Sequence, residues 1–196
     1  MSIGLLILAA ASAHANTPED VAVQALHNFG ACIVDRNPRG ARELLDMDYR
    51  SPDYQKRLRE YAKGHDYCIP FGGHIGSGQL LLAGSLAEAL IKSDTKPADL
   101  PQELAFDPQR EPILARSELE AMALCTVLNA PQATVRILGA EPATDEEVAA
   151  MKPLGGVLGE CLKKDTRMTL NKPALRSLLA LAAWRIVNTP KTAPAQ

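Results

Sequence analysis

ACIVDRNPRGARELL at residues 31–45 and LCTVLNAPQATVRIL at residues 124–138 follow one pattern. In each, a cysteine is followed two positions later by valine, six positions later by proline, and then by two adjacent aliphatic residues. The second stretch begins 93 residues after the first, and the same shift aligns residues 18–92 with residues 111–185 without a gap. Self-similarity at a fixed distance is the signature of a repeated structural unit. The sequence therefore predicts an internal duplication and two pseudo-symmetric units.

The four cysteines indicate how each unit is closed. Cys32 precedes Cys68 by 36 positions, and Cys125 precedes Cys161 by the same number. Four cysteines allow three pairings, and the equal spacing favours Cys32–Cys68 and Cys125–Cys161. A bridge over a loop of this size stabilises a fold by roughly 3–4 kcal/mol in the chain-entropy model. The chain has no C-x-x-C motif, so the cysteines are interpreted as structural.

Helical periodicity runs through both units, and no stretch keeps the period of two that is typical of a strand. We therefore predict an all-α fold. Its expected helices cover residues 19–35, a short segment from 38, 52–63 and 77–92, then 117–129 with an extension back to 113, 131–138, a segment from 144, and 172–187. The last helix contains ALRSLLALAAWRIV at residues 174–187 and is apolar nearly all round. Such a helix is buried, so we expect it between the two units.

Two local patterns carry further expectations. Val21 and Phe29 recur at helical spacing on the first helix, which predicts that both face the core. Thr144, with Glu147 three residues later, has the spacing of a capping box.

The chain divides into five predicted segments. Residues 93–112 contain four prolines, which interrupt helices and predict a linker. The tail after Asn188 is polar and is predicted to be disordered. The predicted division is a signal peptide at 1–15, a first helical unit at 16–92, the linker at 93–112, a second helical unit at 113–188 and the tail at 189–196.

The N-terminus predicts export. An apolar run of nine residues, from Ile3 to Ala11, precedes Ala13 and Ala15 in the small-x-small pattern of a cleaved signal peptide. A buried first helix is the alternative interpretation. Disulfides persist outside the reducing cytosol, which agrees with a periplasmic or secreted protein cleaved near Ala15.

Composition excludes several classes of function. The net charge is −2 and aromatic residues make up 4% of the chain, so we expect no nucleic-acid partner. No apolar stretch reaches the length of a transmembrane helix, so we expect no transmembrane segment. We also expect no cofactor and no metal site. His65, Cys68 and His74 could be arranged as zinc ligands, but Cys32 is the better partner for Cys68.

One strip of the first unit is a candidate contact surface. All four tyrosines lie between residues 49 and 67, among basic residues. Such a mixture can bind polyanions by charge and stacking, although a tyrosine face buried against the core is the alternative. The candidate contact residues are Tyr54, Arg57, Arg59, Tyr61 and Lys63.

No group of residues predicts catalysis. The glycine-rich stretch at 72–78 lacks the lysine and the preceding strand of a phosphate-binding loop, and it is interpreted as a connection before a helix that Ser77 could cap. Glu88 and Glu160 lie among small apolar residues, which could raise a carboxyl pKa. His27 is expected to be a surface or half-buried histidine. No catalytic residue is assigned.

The repeated pattern also supports a resemblance. With Cys-x-Val, Pro and Leu-Leu, then Cys, then LAGSLAEAL at residues 82–90, the chain resembles a group of secreted alphaproteobacterial proteins that carry one or two cysteine-bearing helical units. The resemblance covers residues 20–92 and, more weakly, 115–187. It implies an exported helical protein, and it transfers no activity and no functional residues.

The sequence thus favours a non-enzymatic exported protein of the cell envelope that binds an unidentified protein or ligand. Two alternatives remain open. A chaperone-like or lipid-binding helical protein would have a sizeable apolar cavity or groove between the two units. An enzyme would have a polar cluster in a cleft between the units, with Glu88, His65 or His74 in it.

Overall fold

A computed structural model describes residues 17–69, 73, 76–164, 166 and 168–191. The predicted signal peptide, His74 and residues 192–196 lie outside this described part of the chain. Within it, the fold is all-α, as predicted, and the only β-type pairing is one isolated bridge between Arg110 and Lys191.

The first half of the chain contains four α-helices and one short 3-10 helix among its described residues. They are α1 (Pro18–Arg36), α2 (Pro38–Asp46), α3 (Pro52–Lys63), the 3-10 helix Asp66–Cys68 and α4 (Gln79–Asp94). Side chains cap the predicted starts: the hydroxyl of Thr17 accepts a hydrogen bond from the backbone N–H of Asp20, and that of Ser51 from Tyr54. Prolines occupy the first helical turn, where a missing N–H costs nothing.

The second half contains six described α-helices. They are α5 (Leu100–Leu104), α6 (Glu118–Asn129), α7 (Pro131–Gly139), α8 (Asp145–Met151), α9 (Leu154–Cys161) and α10 (Lys172–Asn188). The first residues of α7, α8 and α10 lie 93 positions after those of α2, α3 and α4. These three helix starts therefore follow the shift that aligns the sequence of the two halves, whereas α1 and α6 begin at Pro18 and Glu118.

The centre of the fold is the crossing of α4 and α10, since α10 packs mainly against α4 and α6, and α4 also packs against α1. The burial of α10 confirms its predicted place between the halves. At the crossing, Gly84 lies against Ser177: a Cβ atom added to Gly84 would be 2.3 Å from the Cβ of Ser177. Only a glycine allows the two helices to approach this closely.

Each half is closed by its own disulfide, as predicted. Cys32 is bonded to Cys68, with their Cα atoms 5.8 Å apart, and Cys125 to Cys161, with Cα atoms 5.6 Å apart. The first bridge ties α1 to the 3-10 helix, and the second ties α6 to α9. None of the described helices has the length and apolarity needed to cross a bilayer.

Three helix details differ from the sequence predictions. The helix expected back to residue 113 begins at Glu118, because the side chain of Ser117 caps it by accepting from the backbone N–H of Glu120. Helix α4 begins at Gln79 after Gly78, and Ser77 is not its cap. Val21 is 53% exposed, so none of the elements in the described part of the chain covers it.

The connecting segments are more ordered than predicted. The segment expected as a linker contains α5, whose Leu100 and Leu104 are buried. The tail was predicted to be disordered from residue 189, but the carbonyl of Pro190 accepts a hydrogen bond from the N–H of Glu111 at 3.0 Å. The linker and the first tail residues therefore pair with each other.

Candidate ligand pocket between the two halves

A pocket of about 270 Å³ lies where the two halves meet. Its volume is slightly below the range of about 300–1,000 Å³ that is typical of small-molecule sites. The first half supplies α3, α4 and the end of α2, and the second half supplies α10 and the start of α6. The lining residues are Leu45, Met47, Tyr49, Tyr54, Gln79, Leu80, Ala83, Arg116, Ser117, Leu119, Glu120, Leu178, Leu181, Ala182, Trp184 and Arg185.

The lining of the pocket is mostly apolar, and it includes two buried aromatic residues. Tyr54 and Trp184 are 4% and 3% exposed. Burial raises the pKa of Tyr54 to about 12, so its hydroxyl is protonated at neutral pH. Within the described part of the chain, neither the Tyr54 hydroxyl nor the Trp184 indole N–H has a hydrogen-bond partner. Both groups can donate to a ligand.

The polar side of the pocket consists of two arginines and one glutamate. Glu120 accepts a hydrogen bond from Arg185 Nη1 at 2.6 Å and another from the backbone N–H of Arg116. The guanidinium of Arg116 donates from Nη1 to the carbonyl oxygen of Met47 at 3.1 Å. No carboxylate oxygen of the described residues lies within ion-pair distance of the Arg116 guanidinium. Among these residues, one positive charge at the pocket therefore lacks a carboxylate partner.

A second polar group, which we call the Arg176 cluster, has the buried side chains of Arg176, Glu88 and Glu147 at its centre. Its other members are His27 and Lys92. Arg176 is completely buried. It binds Glu88 with two hydrogen bonds of 2.7 Å and Glu147 with one of 2.9 Å, and it also donates to the carbonyl oxygens of Leu138 and Ala140. The cluster joins α4, α8 and α10.

The remaining two members contact Glu88. Lys92 Nζ donates to it at 2.7 Å, and His27 Nδ1 lies 3.4 Å from it. Burial alone would raise the pKa of Glu88, but the hydrogen bonds and the charge of Arg176 outweigh burial and lower it. Burial also lowers the pKa of His27, against the attraction of Glu88.

The polar groups at the centre of the cluster are occupied by one another. Every guanidinium nitrogen of Arg176 has a partner, and the only fully buried polar side-chain atom without one among the described residues is Nε of Arg110, elsewhere in the fold. Because both acids are held by the same cation, the arrangement is that of a structural link between helices. The sequence-based suggestion of a raised pKa for Glu88 is wrong, and Glu160 is exposed.

The predicted contact residues do not form one surface. Tyr54 is buried and faces the pocket, and the hydroxyl of the half-buried Tyr61 donates to the carbonyl of Asn37 at 2.7 Å. Arg57, Arg59 and Lys63 are exposed. Tyr54 and Tyr61 of α3 therefore face the core, as the alternative interpretation of the tyrosine strip expected. The basic residues lie on the solvent side of α3.

Arg59 and Lys63 border a second hollow, of about 520 Å³. Its rim at Gly76 and Ser77 adjoins residues 70–75, of which the structure describes only Gly73.

Two of the three residues considered as zinc ligands have other partners. Cys68 is in a disulfide, and Nδ1 of the buried His65 lies 2.7 Å from the carbonyl oxygen of Tyr61. In the described ranges, no three His, Cys, Asp or Glu side chains are placed to hold a metal ion. The half-buried position expected for His27 is confirmed.

Sequence reasoning did not identify the pocket arginines or the Arg176 cluster. One signal was available, since Arg176 is a charge near the start of a helix that is otherwise apolar nearly all round. A charge at such a position needs a buried partner. The spacing of the sequence could not show which acids would reach it.

Compared with models of protein families, with curated proteins and with solved structures, the chain matches none. No functional residue can therefore be transferred from a relative.

Proposed function

We propose that the chain is an exported, non-enzymatic binding protein that holds a small, largely apolar molecule in the pocket between its two halves. One observation carries the proposal: both halves contribute walls to a mostly apolar pocket. Its lining includes Tyr54 and Trp184, whose side-chain polar atoms have no hydrogen-bond partner among the described residues. An apolar pocket with a few polar groups is the usual form of a small-molecule site. This proposal brings together the binding role and the lipid-binding alternative suggested by the sequence.

The absence of a suitable acid or base near the pocket favours binding over catalysis. Among the described lining residues the one carboxylate is Glu120, and two donors already occupy it. No lining residue in the described part of the chain is a histidine or a cysteine. The pocket groups can hold and orient a ligand, and the one carboxylate among them is already paired with Arg185.

A dye titration tests the proposal. The native protein should increase the fluorescence of 1-anilinonaphthalene-8-sulfonate, with energy transfer from Trp184, the only tryptophan in the chain. Ala83→Leu adds three carbon atoms to the pocket wall and should weaken dye binding. Ala121→Leu, on the exposed side of α6, is the matched control and should leave it unchanged. Equal dye binding by both variants, at unchanged helix content, would contradict the proposal.

Export is supported by the two disulfides, which are typical of proteins outside the reducing cytosol. The cleavage site near Ala15 stays a prediction. N-terminal sequencing of the protein recovered from the periplasm or medium should give Asn16 as the first residue. Recovery of the unprocessed chain from the cytosol would contradict export.

We also infer that the two halves descend from one duplicated unit. The inference is supported by the equal cysteine spacing of 36 and by helix starts that lie 93 residues apart. In more distant related sequences, both halves should keep this spacing. Insertions that shift the helix starts of one half but keep its cysteines would count against a common origin. The resemblance to secreted alphaproteobacterial proteins would be tested by the same sequences.

A further inference from the structure

The positive charge of Arg116 at the pocket indicates which charge a ligand should carry. A guanidinium has five N–H donors, and the structure uses one of those on Arg116, for the carbonyl of Met47. Arg116 is half-buried and lines the pocket. Asp48, which feels the charge of Arg116, already accepts hydrogen bonds from Arg50, including one of 2.7 Å to Nη2. The guanidinium also lies over the ring of Tyr49, 6.0 Å from its centroid. An anion on the ligand would supply the carboxylate partner that the described residues do not.

The other charges at the pocket do not cancel this one. Arg185 and Glu120 form an ion pair at 2.6 Å, and their side chains are 20% and 12% exposed. The pair is neutral as a unit, so Arg116 leaves the three groups with a net charge of about +1 at neutral pH. A neutral or cationic ligand would leave that charge without compensation.

The uncharged groups at the pocket point to the same chemistry. The Tyr54 hydroxyl and the Trp184 N–H have no partner among the described residues, and the indole can only donate. Glu120, by contrast, already accepts from two donors. Arg116, Tyr54 and Trp184 therefore offer donors, and a ligand that pairs with these three groups should bring acceptors.

Resting on the proposed binding function, we propose that the ligand is an amphiphile with one carboxylate, which Arg116 binds at the edge of the pocket while the apolar tail fills the space beside Ala83 and Leu178. A carboxylate matches the planar guanidinium through two parallel hydrogen bonds. The tail contacts α4 and α10, which belong to different halves. Binding therefore depends on both halves.

Octanoate and octan-1-ol separate this inference from the proposed function. Both have the same tail, and at pH 8 one carries a carboxylate and the other a hydroxyl. Binding is measured from the emission of Trp184 in the full mature chain. Octanoate should bind at least about tenfold more tightly than the alcohol, since hydrogen bonds to charged groups are the stronger ones. Each CH₂ group added from butanoate upward should tighten binding up to about fourfold until the pocket is full.

Two variants of Arg116 provide the decisive comparison. Arg116→Gln should reduce the affinity for octanoate to that for octan-1-ol and leave the alcohol unaffected. Arg116→Lys keeps the charge and should retain part of the preference. Arg57→Gln removes an exposed arginine of α3 and serves as the control, with the preference unchanged.

The outcomes distinguish the two proposals. If neither compound changes the emission of Trp184, the pocket does not bind such molecules and the proposed function fails. If both bind with equal affinity, or if Arg116→Gln keeps the preference for octanoate, the pocket remains a binding site and the assignment of a carboxylate is wrong.

Discussion

The Arg176 cluster and the pocket are each built from residues of both halves, and the two sets of residues correspond in the sequence. A shift of 93 residues pairs each member of the cluster with a residue that lines the pocket. The pairs are Ala83 with Arg176, Tyr54 with Glu147, Leu181 with Glu88, Glu120 with His27 and Arg185 with Lys92. One site is therefore filled by charges that satisfy each other, and the other is lined mostly by apolar groups and contains space.

A shared backbone feature makes the difference instructive. Arg176 donates to the carbonyl of Ala140 at 2.9 Å, and Arg116 donates to the carbonyl of Met47, which is 93 residues earlier, at 3.1 Å. Both sites thus present a carbonyl to a guanidinium. In the cluster the arginine comes from the middle of the core, on α10, and fills the site. In the pocket it comes from the segment before α6, so the interior beside Ala83 stays empty.

Removing the central arginine of the cluster should have the largest effect. Arg176→Met leaves Glu88 and Glu147 buried without their main cation, and losing one partner of a buried pair costs about 3–5 kcal/mol. Urea unfolding followed by circular dichroism measures the change in the free energy of unfolding. Arg42→Met, which breaks the exposed pair with Asp94, should cost no more than about 1 kcal/mol.

A second variant removes the two buried acids together with the arginine. Arg176→Met combined with Glu88→Leu and Glu147→Gln should recover much of the lost stability, because buried charges without partners account for most of the loss. If the single variant is as stable as Arg42→Met, the cluster is not the link between helices that its geometry indicates.

Some features of the fold and of the two sites could be predicted from the sequence, and others could not. Pro38, Pro52 and Pro131 marked helix starts correctly, because proline restricts its own backbone and suits the first turn. The disulfides followed from equal spacing. A proline affects only the few residues around it, and a cysteine in a disulfide pairs only with another cysteine. Both features can therefore be read from the sequence.

The sites depend on contacts that are distant along the chain. Arg176 meets Glu88 across 88 residues and Glu147 across 29, and no periodicity selects these acids from the others. Val21 shows the same limit, since helical spacing defines a face and does not show whether another element covers it. A tyrosine face of α3 buried against the core was one of the two interpretations that the sequence allowed. The space in front of Tyr54 depends on how α10 crosses α4.

The helix crossing between the two sites provides the next test. Gly84 and Ser177 are 93 residues apart in the chain and contact each other. Gly84→Ala would place a Cβ 2.5 Å from the Cα of Ser177, so the helices must move apart, at a cost of about 1–3 kcal/mol. Thermal and urea unfolding measure the loss. The variant should also alter dye binding, because the pocket walls on α4 and α10 move with the crossing.

Ser177→Ala is the control for that variant. It keeps the Cβ and removes the hydroxyl that donates to the carbonyl of Pro173 at 2.9 Å, so its effect should be smaller than that of Gly84→Ala. Full stability of Gly84→Ala would mean that α4 and α10 can separate without disturbing either site.

The smallest expected effect is a pH dependence that belongs to the cluster and not to the pocket. His27 faces Glu88, Arg176, Lys92 and Glu147, and its pKa in the folded protein is lowered from 6.5, chiefly by burial. The unfolded chain therefore binds a proton first as the pH falls, and stability decreases below about pH 6.5, by at most about 1.4 kcal/mol per pH unit for one proton. The lowered pKa of Glu88 has the same sign, but its loss begins only below its ordinary value of 4.5.

His27→Gln separates these two contributions. The free energy of unfolding of this variant, measured in urea at several pH values, should stay flatter between about pH 6.5 and pH 5 and still fall below about pH 4.5. Asn28→Gln changes the exposed neighbour on α1 and should keep the pH dependence of the unmodified chain. If His27→Gln loses as much stability above about pH 5 as the unmodified chain, another group takes up the proton. The contrast between a pH-sensitive charged site and an apolar site would then not depend on the pairing of His27 with Glu88.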